Sequence, residues 1–478
     1  MNKVRTRFAP SPTGFMHLGG MRTALYAYVF AKQHGGDFIL RIEDTDQERF
    51  VEGATEVIYS SLKQGGLIYD EGPDVGGDFG PYVQSQRMDI YKKYAEKLVE
   101  LGGAYYCFCT KERLESLKEN DENAKYDKHC LNLSAEEVRS RIERGEPYVI
   151  RQNIPSEGKS TYHDLVFGDI TVDFSDLEDN ILIKSDGMPT YNFANVVDDH
   201  LMQISHVIRG AEYLSSTPKY NLMYDAFGWE RPQYIHLPTI MKDATRKLSK
   251  RYGDANFDDF VSKGYVPEAI MNYIALLGWC PKDNVEKMTL PEMIEKFSLD
   301  GVSKSPSIFD DVKLSWLNGE YLKAMTDDEF YTVSLPFFEK SKVYGKFDIK
   351  KLAKLLRTRI EILSEIPEKI DWLSQLDEFD SELYFNKKNK TDKTLAKTLL
   401  PEIYGAVSEV DNFVNDVIFS ALSEKATQLG VKSGAFFWIM RIAITGQAVT
   451  PGGATEMAEL LGKEETLLRL NKAMDFLK

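Results

Sequence analysis

No apolar run in the 478-residue chain approaches the ~18 residues that a membrane-spanning helix requires. The opening Met1 to Gly14 has basic residues but no apolar stretch of secretory type, so a cytoplasmic protein is expected. Cysteine is scarce: four thiols in a chain this long exclude a disulfide scaffold and leave free thiols or a metal site. Cations are outnumbered as well, with 59 Lys and Arg against 74 Asp and Glu, a formal charge of -15. A uniformly basic nucleic-acid binder is thereby excluded, and any contact with phosphate has to come from a local basic track. Low-complexity tails and repeats of fixed period are missing too. What is present is 43% hydrophobic and 12% aromatic sequence, the composition of a folded protein. Its length exceeds what one core serves, so several domains of roughly 50 to 200 residues are expected.

The N-terminal text alternates between two periods. Val4 to Phe8 reads as a strand, Pro10 to Gly14 as a turn, Leu18 to His34 as a helix stopped by Gly35-Gly36, and Phe38 to Glu43 as a second strand with Phe38, Leu40 and Ile42 on one face. Two strands joined through such a helix are parallel with a right-handed crossover, which puts the polar residues after the first strand at the ligand edge of the sheet. From Ala104 to about Val196 short strands and turns interrupt, including Tyr148 to Asn153, Ile170 to Phe174 and Ile181 to Lys184; they read as an insertion. Asp199 to Arg209 then reads as strand and Thr217 to Phe227 as helix, as though the first sheet resumed. Beyond Tyr265 helical periodicity dominates, over Pro267 to Leu277, Lys350 to Leu363, Leu395 to Val407 and Glu465 to Leu477, with Glu378 to Asp392 as an exposed loop or short linker. The fold class is α/β plus all-α.

Two motifs carry chemistry. Ser11-Pro12-Thr13-Gly14 precedes His17-Leu18-Gly19-Gly20 at a helix start, where small residues admit a nucleotide, the helix N-terminus favours phosphate and an imidazole can hydrogen-bond a phosphoryl oxygen. Alone, this is also what any capped α/β turn looks like. Some 230 residues later comes Lys247-Leu248-Ser249-Lys250-Arg251, which alone reads as a solvated basic loop. The pair in this order beside a strand-helix-strand unit resembles the HIGH and KMSKS elements of class I aminoacyl-tRNA synthetases. The resemblance narrows with Arg7 to Gly14, Arg41-Ile42-Glu43-Asp44-Thr45-Asp46, Lys184 to Tyr191 and Asn195 to His200. Together these are similar to bacterial glutamyl-tRNA synthetases, end to end. Gly20 departs from the HIGH pattern and leaves His17 as the only imidazole there.

The resemblance implies a ligase that activates L-glutamate with ATP and Mg2+ and transfers it to the terminal adenosine of tRNA(Glu), or of tRNA(Gln) as well, in a cytoplasmic monomer. It implies a Rossmann-type catalytic domain in two halves, 1–103 and 197–242, around an inserted acceptor-binding α+β domain, 104–196. A stem-contact domain with the KLSKR loop, 243–322, and helical anticodon-binding domains, 323–376 and 377–478, follow. Glutamate needs guanidinium forks for two carboxylates and a carboxylate for its ammonium, and Arg7, Glu43 and Arg209 are that set. Ala9, Ser11, Tyr191 and Asn195 join them by resemblance. Ser11, Thr13, His17, Gly19, Gly20, Lys247, Ser249, Lys250 and Arg251 are the expected ATP site, with His17 and Lys250 stabilising phosphoryl charge.

Cys107-x-Cys109 reads as one face of a strand, and His129-Cys130 follows. Some family members hold zinc here, and Cys107, Cys109, Tyr126 and Cys130 resemble a variant with a tyrosine ligand; against it, zinc sites favour CxxC spacing, so free buried cysteines are the competing and preferred reading. Cys280 reads as core. Lys350, Lys351, Lys354, Arg357 and Arg359 form a basic face on a helix, which family resemblance places against the anticodon, with Arg357 or Arg359 reading a base. A glutamyl-queuosine tRNA(Asp) enzyme would not need the 160 residues after Asn318, and a noncatalytic paralogue would not need the charges of the first domain. A small-molecule nucleotidyltransferase would leave the helical half unexplained.

Overall fold

In the computed structural model, residues 3–46, 49, 51–117, 125–248, 256–376 and 379–477 are described. The chain divides into one unit of Met1–Phe260 with Pro267–Asp311 and another of Val261–Val266 with Val312–Lys478.

The first unit grows from its opening strands. β1 (Arg5–Phe8) and β2 (Asp37–Leu40) are parallel, with Arg7 opposite Ile39, and α1 (Leu18–Gln33) crosses between them. Leu18, Met21, Leu25 and Val29 form the buried stripe of α1. The return to β2 depends on glycine: Gly35 has φ +63°, and a Cβ on Gly36 would collide with the Val4 carbonyl. After α2 (Ala54–Gln64) and α3 (Met88–Glu100) the chain makes its excursion through β3 (Ala104–Cys107), α4 (Lys111–Ser116), α5 (Ala135–Glu143), β4 (Val149–Gln152), β5 (Lys159–Asp164), β6 (Gly168–Asp173) and β7 (Ile181–Ile183). It returns by α6 (Tyr191–Leu201), β8 (His206–Gly210), α7 (Thr217–Phe227) and β9 (Gln233–Leu237).

β3, β4 and β7 make a small antiparallel sheet of their own. The β5–β6 hairpin behaves otherwise. It joins the parent sheet in the order β6-β5-β9-β8, with Asp164 opposite Tyr234, because its alternate residues Ser160, Tyr162 and Asp164 are buried and Tyr162 packs edge-on against Tyr234 at 5.5 Å. β8 is tied back to β1 by the Ser205 N–H to the Arg5 carbonyl, 3.0 Å.

The stretch Asp199 to Arg209 is not one strand, as its apolar content suggests. It holds the end of α6, a turn, and then β8. The period was hidden because Asp198 and Asp199, polar by type, face inward with Phe193, Val196 and Val197. Cys280 is also not core: it follows the buried Trp279 into an exposed turn.

The second unit has no strand among its described residues. Helices Lys393–Ser408, Asn415–Gln428, Ser433–Thr445, Ala454–Leu461 and Lys463–Phe476 pack together, and the buried Arg469 donates to the carbonyls of Ile444 and Leu373 at 3.0 and 2.7 Å. Helix Ile349–Leu356 stops well short of Leu363, because Arg359 N–H turns onto the Leu356 carbonyl at 2.7 Å and sends Ile360 into the core. Residues 379–392 are not simply an exposed loop either: Tyr384 and Thr391 are buried and bonded to each other at 2.7 Å.

Charges hold the centre of the first unit together. Arg41, wholly buried, donates to Glu43 at 2.8 Å and to Asp199 at 2.7 Å, and Arg7 donates to Asp199 through Nε at 3.0 Å and Nη2 at 3.2 Å. The neighbouring Asp198 accepts from Arg87 at 2.7 Å, Gln84 at 2.9 Å and Tyr91 at 2.7 Å. Such a lattice is stable only while each charge keeps its partners, since a buried ion left alone costs several kcal/mol. Asp198→Ala, which strands Arg87 and unbalances Arg41, is therefore expected to destabilise the protein by about 3–5 kcal/mol, read as a lowered urea midpoint of the first unit. A loss below ~1 kcal/mol would show that the lattice is not structural.

Candidate active site

A cleft of about 880 Å³ opens where β1 and β8 end, beside the first turn of α1. Its position follows from the topology, because parallel strands leave their carboxyl ends and the connecting loops around one edge. Arg7, Ala9, Ser11, Thr13, Gly20, Glu43, Tyr191 and Arg209 all line it, brought from four separated stretches of chain. Thr45, Glu212 and Tyr213 line it too.

The two sides of the cleft differ in charge. On one, Glu43 and Arg7 belong to the ionic lattice. Burial drives the Glu43 carboxyl upward from its ordinary value, against the pull of Arg41 and Arg7. Burial acts likewise on Asp199, but there Arg7 and Arg41 prevail and hold it below the usual carboxylate range. On the other side stands Arg209, 6% exposed. Its Nε donates to His236 Nε2 at 3.1 Å and its Nη2 to Thr217 Oγ1 at 2.7 Å. The rings of Tyr213, Tyr220 and Tyr234 surround it at 5.0, 4.8 and 5.5 Å. Among the described residues no carboxylate lies within ion-pair distance of Arg209. A buried cation held by ring faces and neutral acceptors is poised for an anion.

Other expected site residues lie differently. Asn195 is buried one turn along α6 from Tyr191 and is not among the lining residues, and its Nδ2 has no hydrogen-bond partner among the described residues. His17 and Gly19 are not among the lining residues; His17 caps α1, its Nδ1 accepting from Gly19 N–H at 3.0 Å. A neutral ring so bonded carries its proton on Nε2. Lys247 is exposed and bridges to Met241. Ser249, Lys250 and Arg251 lie outside the described residues.

Sequence reading missed Arg41, Asp198 and Asp199 as lattice members, although all three stand inside the quoted motifs. It also missed Thr217, Asp164 and His236, polar residues at the start of α7, at the end of β5 and inside β9, which carry no sequence signal that they meet.

In the small sheet, β3 ends at Cys107, so Cys109 lies beyond it rather than on the same strand. The thiols of Cys107, Cys109 and Cys130 nevertheless fall within 4.8 Å of one another, and the Tyr126 hydroxyl is 3.3 and 3.4 Å from the first two. Cys109 and Cys130 are 3.6 Å apart, near the ~3.8 Å edge of a tetrahedron with ~2.3 Å metal-sulfur bonds. Arg151 donates to Cys107 at 3.4 Å. Burial raises the Cys107 thiol, but the bonds from Tyr126, the Cys109 backbone and Arg151 outweigh it and leave Cys107 below its ordinary value. These donors fit a tetrahedral metal; His129 is exposed and stands apart from them.

The chain is similar to known proteins along its whole length. The family model of the class I tRNA synthetases for E and Q, catalytic domain, matches residues 3–316, and that of an anticodon binding domain matches 329–474. Glutamate-tRNA ligases of Clostridium kluyveri and Clostridium tetani are 55% and 54% identical over the whole chain and 99% and 98% of their own lengths. The crystal structure of a glutamate tRNA ligase from Elizabethkingia meningosepticum, in complex with its amino acid, is 37% identical with a TM-score of 0.88 over all of both chains.

Proposed function

The chain belongs to the glutamate-tRNA ligases among the class I tRNA synthetases, and from that premise we propose which of its residues carry the reaction. The enzyme activates glutamate with ATP and joins it to tRNA. One observation carries the assignment of the amino-acid pocket: among the described residues no carboxylate lies within ion-pair distance of the buried Arg209, and a ligand carboxylate completes it. We assign the glutamate side chain to Arg209. Glu43 takes the ammonium, and Arg7, partly spent on Asp199, adds positive potential for the second carboxylate with Ser11 and Tyr191 nearby. Asn195 supports Tyr191 from one turn along α6.

The α-carboxylate then attacks the α-phosphorus of ATP and pyrophosphate leaves; the terminal ribose hydroxyl of tRNA attacks the adenylate in turn. No protein nucleophile is required, so rate comes from positioning and from donors aimed at phosphoryl charge. His17 supplies its Nε2 proton there, at the start of α1, and Thr13, Gly19 and Gly20 leave room for the nucleotide. Lys247 and Lys250, with Ser249 and Arg251, act from the KLSKR loop. Mg2+ accompanies ATP and offsets its charge.

In the second unit, Arg357 is already engaged: it donates to the carbonyls of Lys323 and Met325 at 2.6 and 2.7 Å and pairs with Asp327. Arg359 is exposed, and of the two it is the one we assign to an anticodon base. Cys107, Cys109, Tyr126 and Cys130 are assigned to a structural zinc, since four donors converge where free thiols have no reason to. When bound, the metal would cross-link the loops of the inserted sheet.

Charging of purified tRNA(Glu), tRNA(Gln) and tRNA(Asp) with glutamate tests the activity and its breadth: tRNA(Glu) is charged, and charging of tRNA(Asp) alone would overturn the reading. In the same assay Arg209→Ala is expected to lower kcat/KM for glutamate by about a hundredfold or more, as ~3 kcal/mol of charge-assisted bonding is lost. A change below roughly threefold would mean the pocket is misassigned. Arg359→Ala should raise the KM for tRNA by roughly ten- to a hundredfold and Arg357→Ala less, with heat stability lost only in the second; equal effects on KM would remove the distinction. Elemental analysis is expected to find about one zinc per chain, reduced in Cys130→Ala; a metal-free, equally stable protein would return the cluster to free thiols.

A further inference from the structure

We infer that Asp164 and His236 form a buried relay that positions Arg209 and sets the protonation state it leans on, so that both are positioning residues for the amino-acid carboxylate. The proposal rests on the assignment of Arg209 to that carboxylate. It starts from three adjacent strands. β5 ends at Asp164, β9 carries His236 and β8 carries Arg209; Arg209 stands directly opposite His236 in the parallel register, and Asp164 pairs with Tyr234 two residues earlier in β9. Asp164 and His236 are both wholly buried.

The hydrogen bonds run in one direction. Oδ1 of Asp164 accepts the backbone N–H groups of Val166 and Phe167 at 3.0 and 2.8 Å, which fixes the carboxylate plane. Oδ2 accepts the His236 backbone N–H at 3.1 Å and faces His236 Nδ1 at 2.7 Å. All of Asp164's neighbours therefore call for a proton acceptor, and Nδ1 must carry the hydrogen. Nε2 is then a lone pair, and it receives the Arg209 Nε–H at 3.1 Å.

A histidine proton on Nε2 would point at the guanidinium donor and break that bond. Burial already holds the ring below its ordinary value, against Asp164, and Arg209 adds to the effect. The carboxylate behind the ring sharpens Nε2 as an acceptor, as outer carboxylates do for imidazoles that hold a cation elsewhere. Thr217 restrains Nη2 in parallel, its hydroxyl donating to the Tyr213 carbonyl at 2.8 Å. With Nε and one Nη2 hydrogen committed, the guanidinium cannot swing, and the Nη1 edge remains for a ligand carboxylate. The ring stacks of Tyr234 and His236, 6.1 Å apart, close the space behind it.

The test uses the full-length enzyme charging tRNA(Glu), with glutamate and ATP each varied in turn while the other substrates are saturating. His236→Phe keeps an aromatic ring but no acceptor, and is expected to raise the KM for glutamate about ten- to a hundredfold while the KM for ATP stays within about twofold. His236→Gln, which returns an acceptor near Nε2, should recover most of that loss. Asp164→Asn puts an amide where two donors already point and should match His236→Phe; it gives the same readout if His236→Phe does not fold. Combined with Arg209→Ala, His236→Phe should add nothing further, because its effect passes through Arg209. Equal rises in the KM of glutamate and ATP, no recovery with glutamine, or full additivity with Arg209→Ala would each reduce the relay to packing. If Arg209→Ala alone leaves glutamate KM unchanged, it is the pocket assignment that fails and not the relay.

Discussion

The first unit depends on the pair of aspartates buried in α6. Asp198 and Asp199 are consecutive, so they project in different directions from one helix, and each gathers guanidiniums from a different part of the chain. Asp199 joins Arg7 at the end of β1 to Arg41 just past β2; Asp198 holds Arg87 before α3 and the Tyr91 hydroxyl within it. One helical turn thus fixes the distance between the first two strands and the segment that leads to the inserted sheet. Apolar packing could hold those elements together, but it would not specify where a charged side chain has to point. Here Glu43 is kept in place by Arg41 at 2.8 Å, inside the same lattice.

That arrangement makes one side of the cleft electrically saturated and the other side not. Arg7 and Glu43 enter the cleft already partnered, so a ligand meets a balanced pair there and gains orientation more than raw attraction. Arg209 faces the cleft as a desolvated cation surrounded by rings, where an opposite charge would interact in a medium far less polar than water. In the proposed reading an α-amino acid with a second carboxylate is complementary to this division: its ammonium and α-carboxylate go to the balanced side, and the carboxylate at the other end goes to the unbalanced one.

Much of this could be read from the chain, and the unread part has a common cause. Arg7, Glu43 and Arg209 were legible from the family motifs that hold them together with their places in or at the ends of segments that read as strands, since strand ends of a parallel sheet converge. The helical second unit was legible from its period. Asp198, Asp199, Asp164 and His236 were not, since polar residues with buried partners look in sequence like surface, and their partners lie 27 to 192 residues away in the bonds that matter. The same blindness turned the end of α6 into an apparent strand and placed the β5–β6 hairpin with the insertion, although Asp164 belongs to the parent sheet. Cys280 erred the other way: an apolar neighbour, Trp279, made an exposed thiol look internal.

In the proposed reading, the unbalanced cation also decides between glutamate and glutamine. The two differ little in size, so a shaped apolar pocket could separate them by only a small factor; a site whose polar groups are left unmatched by the wrong ligand separates far better. Glutamine would bring a neutral amide to a guanidinium that has lost its water, and half of that amide is a donor facing further donors on Arg209. The relay through His236 makes this worse for glutamine, because with Nε held the guanidinium cannot rotate to present fewer hydrogens. Rejection of the amide and binding of the acid are therefore one property of a single side chain, and what tunes both is how firmly the strand next door holds it.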